Sequence, residues 1–91
     1  MNDFLARAAR GDGDAAYDLG ICYQTGTAGV AIDLIEAHKW FNLAAIAGME
    51  AAQFARAEVA SAMSARQIAA AQAAARSAAR GWMAQTEQRA A

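Results

Sequence analysis

The sequence predicts an all-α protein, arranged as a short αα-hairpin solenoid of about five helices. The 91 residues include no Pro, and about a third of them are Ala, the residue with the highest helix propensity. Capping residues and glycines divide the chain into helical stretches joined by short loops, which favour antiparallel helix pairs. A similar tripeptide, DAA at 14–16 and EAA at 50–52, recurs after 36 residues, an interval typical of helical-hairpin repeats.

The first two helices are separated by a glycine-rich break. Helix-forming residues run from about Asp3 to Arg10, and the sequence GDGD at 11–14 ends this stretch. Asp14 is a suitable N-cap for a second helix over about 15–24. The loop TGTAGVAI follows, and its two glycines permit positive φ angles.

Capping signals bound the remaining helices. Asp33 followed by Glu36 is close to a capping box, and Gly48 is a natural C′ residue. Ser64 with Gln67 forms a second capping box. The third, fourth and last helices are predicted over about 33–47, 50–62 and 65–87. We expect the second and third helices to form one antiparallel hairpin, and the fourth and last helices to form another.

Composition and charge disfavour several classes of function. The net charge is −1, so the whole chain shows no basic character suited to nucleic acid or an anionic membrane. The charge is uneven, however. Residues 1–60 carry eight acidic and four basic side chains, a net of −4, whereas residues 61–91 carry Glu87 and four Arg, a net of +3. Arginines spread along a helix are expected to form a solvated face.

The cysteine content and the start of the chain predict a cytoplasmic protein. Cys22 is the only cysteine, so neither an internal disulfide nor a cysteine-based metal site is expected. The segment MNDFLARAARGD lacks the pattern of a signal peptide. Arg and Gln interrupt the Ala-rich runs, so no membrane span is expected.

The second and third helices resemble one complete Sel-one-like repeat, a relative of the tetratricopeptide repeat. The pattern A-x-x-L-G-x-x-Y is followed by two loop glycines, then by D-x-x-E-A-x-x-W-x-x-x-A-A-x-x-G. One extra residue separates the loop glycines, so a bulge is expected there. The matching residues are Ala16, Leu19, Gly20, Tyr23, Gly26, Gly29, Val30, Asp33, Glu36, Ala37, Trp40, Ala44, Ala45 and Gly48.

The second half of the chain is similar to a degenerate terminal repeat. Where the first unit has Leu19 and Gly20, the second has Ala55 and Arg56. Its later part resembles the terminal segment of small bacterial proteins with this repeat, through Met63, Ser64, Gln67, Ile68, Ala71, Ala75 and Trp82. We therefore expect a single domain over 1–91, with an N-terminal helix (1–11), a complete repeat (12–49) and a capping repeat with a long Ala-rich helix (50–91).

Helical spacing predicts which side chains are buried. Trp40 shares a face with Ala37 and Ala44 and is expected to anchor the core, while Phe41 is expected to reach the next helix near Phe54. On the last helix, one predicted face is apolar and the other polar. The apolar residues are Ile68, Ala71, Ala75, Ala79 and Trp82, and the polar residues are Gln72, Arg76, Arg80 and Glu87.

The stretch His-Lys-Trp-Phe at 38–41 raises the question of catalysis. His38 has no carboxylate at its helical neighbours, and Asn42 is the side chain placed to hydrogen-bond it. Cys22, beside Leu19, is expected to be a buried and inert thiol. We expect His38 and Lys39 at the surface or in a groove. The sequence thus predicts no enzyme, no catalytic or metal site and no cofactor.

The resemblance implies a non-catalytic protein–protein interaction module, an adaptor or scaffold that binds a protein or peptide. A second interpretation is a small accessory subunit, either bound permanently in a larger assembly or self-associating through the Ala-rich helix, so a homo-oligomer is possible. Nucleic acid is not an expected partner. The candidate partner-binding residues are Tyr17, Gln24, His38, Lys39, Asn42, Arg76, Arg80 and Trp82.

Overall fold

All the regular secondary structure in the described part of the chain is α-helix. The computed structural model describes the backbone of residues 2–90 and the side chains of residues 5–81, and it contains no strand within them. Within the described residues, no helix is both long and apolar enough to cross a membrane. The five helices are α1 (Asn2–Ala9), α2 (Gly13–Thr25), α3 (Leu34–Ile46), α4 (Glu50–Ala60) and α5 (Ala65–Ala90).

The junction between α1 and α2 differs in one respect from the sequence prediction. Gly11 has a φ of 95°, and the Asp12 N–H donates to the Arg7 carbonyl over 3.0 Å, as in a Schellman motif. Asp12, not the predicted Asp14, caps α2, because its carboxylate accepts from the Ala15 N–H at 3.1 Å. That hydrogen bond, followed by the one from Arg7, lowers the pKa of Asp12. Asp14 lies in the first turn of α2.

The extra residue between the loop glycines is accommodated by a tight turn. Gly26 ends α2 with a φ of 73°. The Val30 N–H then donates to the Thr27 carbonyl over 3.2 Å. The two central residues of this turn, Ala28 and Gly29, have φ angles of 58° and 83°. Positive φ at both central positions is the signature of a type I′ turn, so the predicted bulge is a local reversal of the chain.

Both ends of α3 match the predicted signals. Asp33 caps the helix by accepting from the Glu36 N–H at 3.2 Å. The Asp33 N–H donates to the Tyr23 carbonyl over 2.9 Å, which ties the start of α3 to the end of α2. Gly48 has a φ of 102° and is the C′ residue, and the Met49 N–H closes the motif on the Ala44 carbonyl over 3.0 Å.

The second capping box is reciprocal. The Gln67 N–H donates to the Ser64 hydroxyl over 3.1 Å, and the Ser64 N–H donates to the Gln67 side chain over 2.9 Å. The helix that follows, α5, continues through Gly81 without a break. The predicted position of Trp82 on its apolar face lies outside the residues whose side chains are described.

Helix α3 is the centre of the fold. It packs against α2, α4 and α5, while α1 packs against α2. The buried side chains of α3, at positions from 37 to 44, span roughly 220° of its circumference at 100° per residue. The predicted hairpin of α4 with α5 is not the main contact of either helix. Within the described residues, each of them approaches the α3 backbone more extensively than it approaches the other.

The core divides into two adjoining clusters on α3. The first gathers small and large apolar residues from all five helices, with Leu19, Trp40 and Leu43 as its largest buried members. The second consists of Ala37 and Phe41 with Val59 from α4. The predicted apolar face of α5 is confirmed where it is described, because Ala71 and Ala75 are fully buried. The largest fully buried side chains, Phe41, Leu19 and Leu43, all belong to α2 and α3.

Candidate functional site

The stretch 38–41 is a packing element and not an exposed cluster of reactive side chains. Trp40 and Phe41 are buried, as their spacing predicts. The expectation that His38 is a surface or groove residue is wrong, since the side chain is only 3% exposed. The cause is the central position of α3. A helix with neighbours on three sides buries residues that a two-helix arrangement would leave in solvent.

His38 is buried without the hydrogen bond that its sequence neighbours suggested. Its Nδ1 atom has no hydrogen-bond partner. The expected partner, Asn42, instead accepts a hydrogen bond from the Arg56 guanidinium of α4. Burial lowers the pKa of His38, and the positive charge of Arg56 lowers it further. The lowered pKa favours the neutral imidazole, and no described carboxylate hydrogen-bonds its Nδ1 atom to orient it as a general base.

Lys39 takes part in a local cluster on α3. Its Nζ atom lies 2.8 Å from Oε2 of Glu36 and 4.5 Å from the centre of the Trp40 ring. The same carboxylate oxygen accepts a hydrogen bond from the Trp40 indole N–H at 3.1 Å. Glu36 thus satisfies the polar edge of the buried Trp and fixes the ammonium above the ring. Because Glu36 points to these two partners, it does not complete the capping box with Asp33.

Small residues on α2 let the aromatic side chains of α3 approach closely. An added Cβ at Gly20 would lie 2.5 Å from two ring carbons of Phe41. The Phe41 ring also contacts the ring of Tyr17, with centroids 5.5 Å apart and planes inclined at 52°. Phe41 also reaches the next helix, α4, as expected, but it packs there with Val59. Phe54, the neighbour suggested by the sequence, is exposed. The absence of a side chain at Gly20 makes the space for Phe41.

Residues 13–49 match the family model of the Sel1 repeat. We refer to this segment, after its match, as the Sel1 repeat. The match begins at the first residue of α2 and ends at the residue before α4, so it contains the complete α2–α3 hairpin. The resemblance of the second and third helices to this repeat is thereby confirmed, and repeats of this type typically mediate protein–protein interactions. No curated protein and no solved structure matched the chain in the corresponding comparisons.

The residues proposed from the sequence for partner binding lie in different environments. Tyr17 and Gln24 are half-buried on α2 of the Sel1 repeat, and Arg76 and Arg80 are exposed on α5. Trp82 lies outside the described side chains. His38 is buried, so the set as a whole is not one exposed surface. Among residues 5–81, no group of three His, Cys, Asp or Glu side chains is arranged to hold a metal ion. Cys22 is a buried free thiol.

The most prominent exposed apolar side chain was missed by sequence reasoning. Phe54 of α4 is 74% exposed, more than any other exposed large apolar residue of the described chain. The packed side of α4 carries Ala52 and Val59, which are buried against α3. Phe54 is two residues from Ala52 and thus about 200° around the helix from it. The helical period therefore contained the signal that Phe54 points away from α3.

Proposed function

We propose that this protein is a non-catalytic interaction module, acting as an adaptor or scaffold, that binds a protein partner through the outer face of α4. The observation that carries the proposal is the exposure of Phe54 at 74% on a helix adjoining the Sel1 repeat. Interface centres are enriched in aromatic residues, and burial of such a ring on binding contributes roughly 1.5–3 kcal/mol.

The outer face of α4 has a defined chemical pattern. Glu50 and Glu58 lie one helical turn to either side of Phe54, and all three are exposed. Ala51 and Ala57, also exposed, flank the ring with small apolar surface. An apolar centre between two acidic groups suits a partner with an apolar depression between basic side chains.

Three other residues proposed from the sequence for partner binding are less available than Phe54. Lys39 is already paired with Glu36, and Asn42 is bonded to Arg56, so both have partners within the chain. His38 is buried. Phe54, in contrast, is the most exposed of the large apolar residues in the described chain, so its ring is available to a partner. We place the module in the cytoplasm, a setting that a single buried thiol at Cys22 favours.

The test is a pull-down with the tagged full chain from its native host, comparing the wild type with Phe54→Ala. Ile32→Ala is the matched control, because Ile32 is also a large exposed side chain, at 64%, but lies in the α2–α3 loop. A stoichiometric partner should be captured by the wild type and by Ile32→Ala and lost with Phe54→Ala. A partner retained equally by all three proteins would overturn the assignment of this face.

A further inference from the structure

We propose that the outer face of α4 binds the outer face of α5 on a second copy of this chain. This inference rests on the proposed function and names its partner. The outer face of α4 is acidic around an aromatic ring. The outer face of α5 is basic around small side chains, and the two faces belong to the same protein.

The α5 face is built from residues at helical spacing. Arg66 and Arg76 are exposed, and the exposed Ala69 and Ala73 lie between them. Arg80 follows one turn after Arg76 and is exposed on the same side. Small side chains between long cationic ones leave a shallow apolar depression. An aromatic ring fills such a depression, with acidic groups placed against the arginines.

The spacing of the charges on the two faces is compatible. Glu50 and Glu58 are eight residues apart, about 12 Å along the helix, and Arg66 and Arg76 are ten residues apart, about 15 Å. The long Arg and Glu side chains cover the difference. Among residues 5–81 the salt bridges are Arg7–Asp12 and Lys39–Glu36, so no residue of either face is ion-paired with another residue of that range.

Charge also disfavours the symmetric alternatives. Two α4 faces would oppose Glu50 and Glu58 to the same residues of the second copy, and two α5 faces would oppose arginines. Like charges across an interface are unfavourable. The favoured contact joins different faces of the two copies. Such a contact can close as a two-fold dimer, in which each copy offers its α4 face to the α5 face of the other, or continue head to tail with one free face at each end. In both cases association increases with protein concentration.

The experiment is analytical ultracentrifugation of the full chain over a range of protein concentrations, at about 0.03 M and about 0.5 M salt. Exposed charge pairs are strongly screened at the higher salt. The weight-average mass is expected to rise with protein concentration at low salt and to fall toward the monomer value at high salt. A monomer at every concentration in low salt would overturn the inference.

Variants with reversed charges test whether the outer faces of α4 and α5 form the contact. Glu50→Lys with Glu58→Lys makes both faces basic, whereas Arg66→Glu with Arg76→Glu reverses the α5 face. Each variant alone is expected to be monomeric, and an equimolar mixture is expected to associate again. Asp14→Lys with Asp18→Lys is the matched control for the Glu→Lys variant, because it makes the same charge change at exposed positions of α2. It should associate like the wild type.

A second variant keeps the test decisive if a charge-exchanged chain fails to fold. Phe54→Ser removes only an exposed ring and is expected to lower the association constant at least tenfold. Association that is unchanged by Phe54→Ser, or a mixture that remains monomeric although both of its variants fold, would overturn the inference. A monomeric wild type that captures a foreign partner through Phe54 would remove the inference and leave the proposed function standing.

Discussion

The two halves of this chain bury different kinds of side chain. The Sel1 repeat, α2 with α3, contributes Leu19, Phe41 and Leu43, the largest fully buried residues. The second unit, α4 with α5, contributes mainly alanines to the core, with Val59 as its only buried branched residue among those described. Buried apolar area determines most of the hydrophobic stabilisation. Stability should therefore be concentrated in the repeat.

The two halves also differ in the exposure of their Phe residues. In the repeat, the aromatic residue Phe41 fills the space above Gly20 and has no exposed surface. In the second unit, the aromatic residue Phe54 has no such space and lies in solvent. Two Phe residues thirteen positions apart thus lie in opposite environments, one in the core and one in solvent.

The largest expected effect comes from comparing these two Phe residues. Phe41→Ala should lower the free energy of unfolding by about 3–5 kcal/mol, because it removes a buried ring and leaves a cavity. Phe54→Ala should change it by no more than about 0.5 kcal/mol, because the ring is exposed. Urea unfolding of both variants measures the difference. Equal losses would show that Phe54 contributes to the core.

The next effect distinguishes two glycines. Gly20→Ala should cost about 1–3 kcal/mol, since its Cβ would overlap the Phe41 ring. Gly81→Ala is the matched control. Gly81 lies on exposed α5 with no atom within 4 Å of an added Cβ, so Ala should stabilise its helix by up to about 1 kcal/mol. The midpoint temperature of unfolding, followed by circular dichroism, measures both effects. Stabilisation by both substitutions would contradict the predicted overlap at Gly20.

Removing a helix cap should lower the free energy of unfolding by about 1 kcal/mol. The region that loses protection should differ between the two caps considered. Asp33→Ala removes the cap of the central helix and should lower hydrogen-exchange protection throughout the repeat. Ser64→Ala removes one half of a reciprocal pair at the start of α5 and should lower protection in α5 alone. A loss of protection in α2 caused by Ser64→Ala would show that the two units open together.

The pH dependence of stability should report on His38. Its pKa is lowered in the folded protein, so the unfolded state binds more protons once the pH falls below about 6.5. Stability should therefore decrease as the pH falls from neutral toward the folded-state pKa. His38→Gln should reduce this decrease, as measured by urea unfolding at several pH values. An unchanged slope would assign the effect to other groups.

Local signals in the sequence predicted the helices well. Asp33, Gly48 and the Ser64–Gln67 pair act at the predicted places, because caps depend on a few adjacent residues. The N-cap of α2 was placed two residues late. Asp12 and Asp14 are both suitable acceptors, and the choice between them depends on the Schellman motif that ends α1 and directs the chain into Asp12.

The errors arose where neighbours from other helices decide the outcome. The helical period of α3 predicts one buried stripe, but contacts on three sides also bury His38. The expected contact between Phe41 and Phe54 assumed that α4 turns its ring toward α3, although Ala52 and Val59 already mark the packed side. Tertiary packing, and not local spacing, decides which side of α4 is buried against α3. It therefore also decides which side chains of α4 stay exposed.

Residue-resolved native-state hydrogen exchange of the wild-type protein tests the central comparison most directly. The slowest amides of α2 and α3 should exchange with the free energy of global unfolding, while those of α4 and α5 should exchange through local opening at lower free energy. Amides in α4 and α5 that are protected as strongly as those in the repeat would contradict the concentration of stability in α2 and α3.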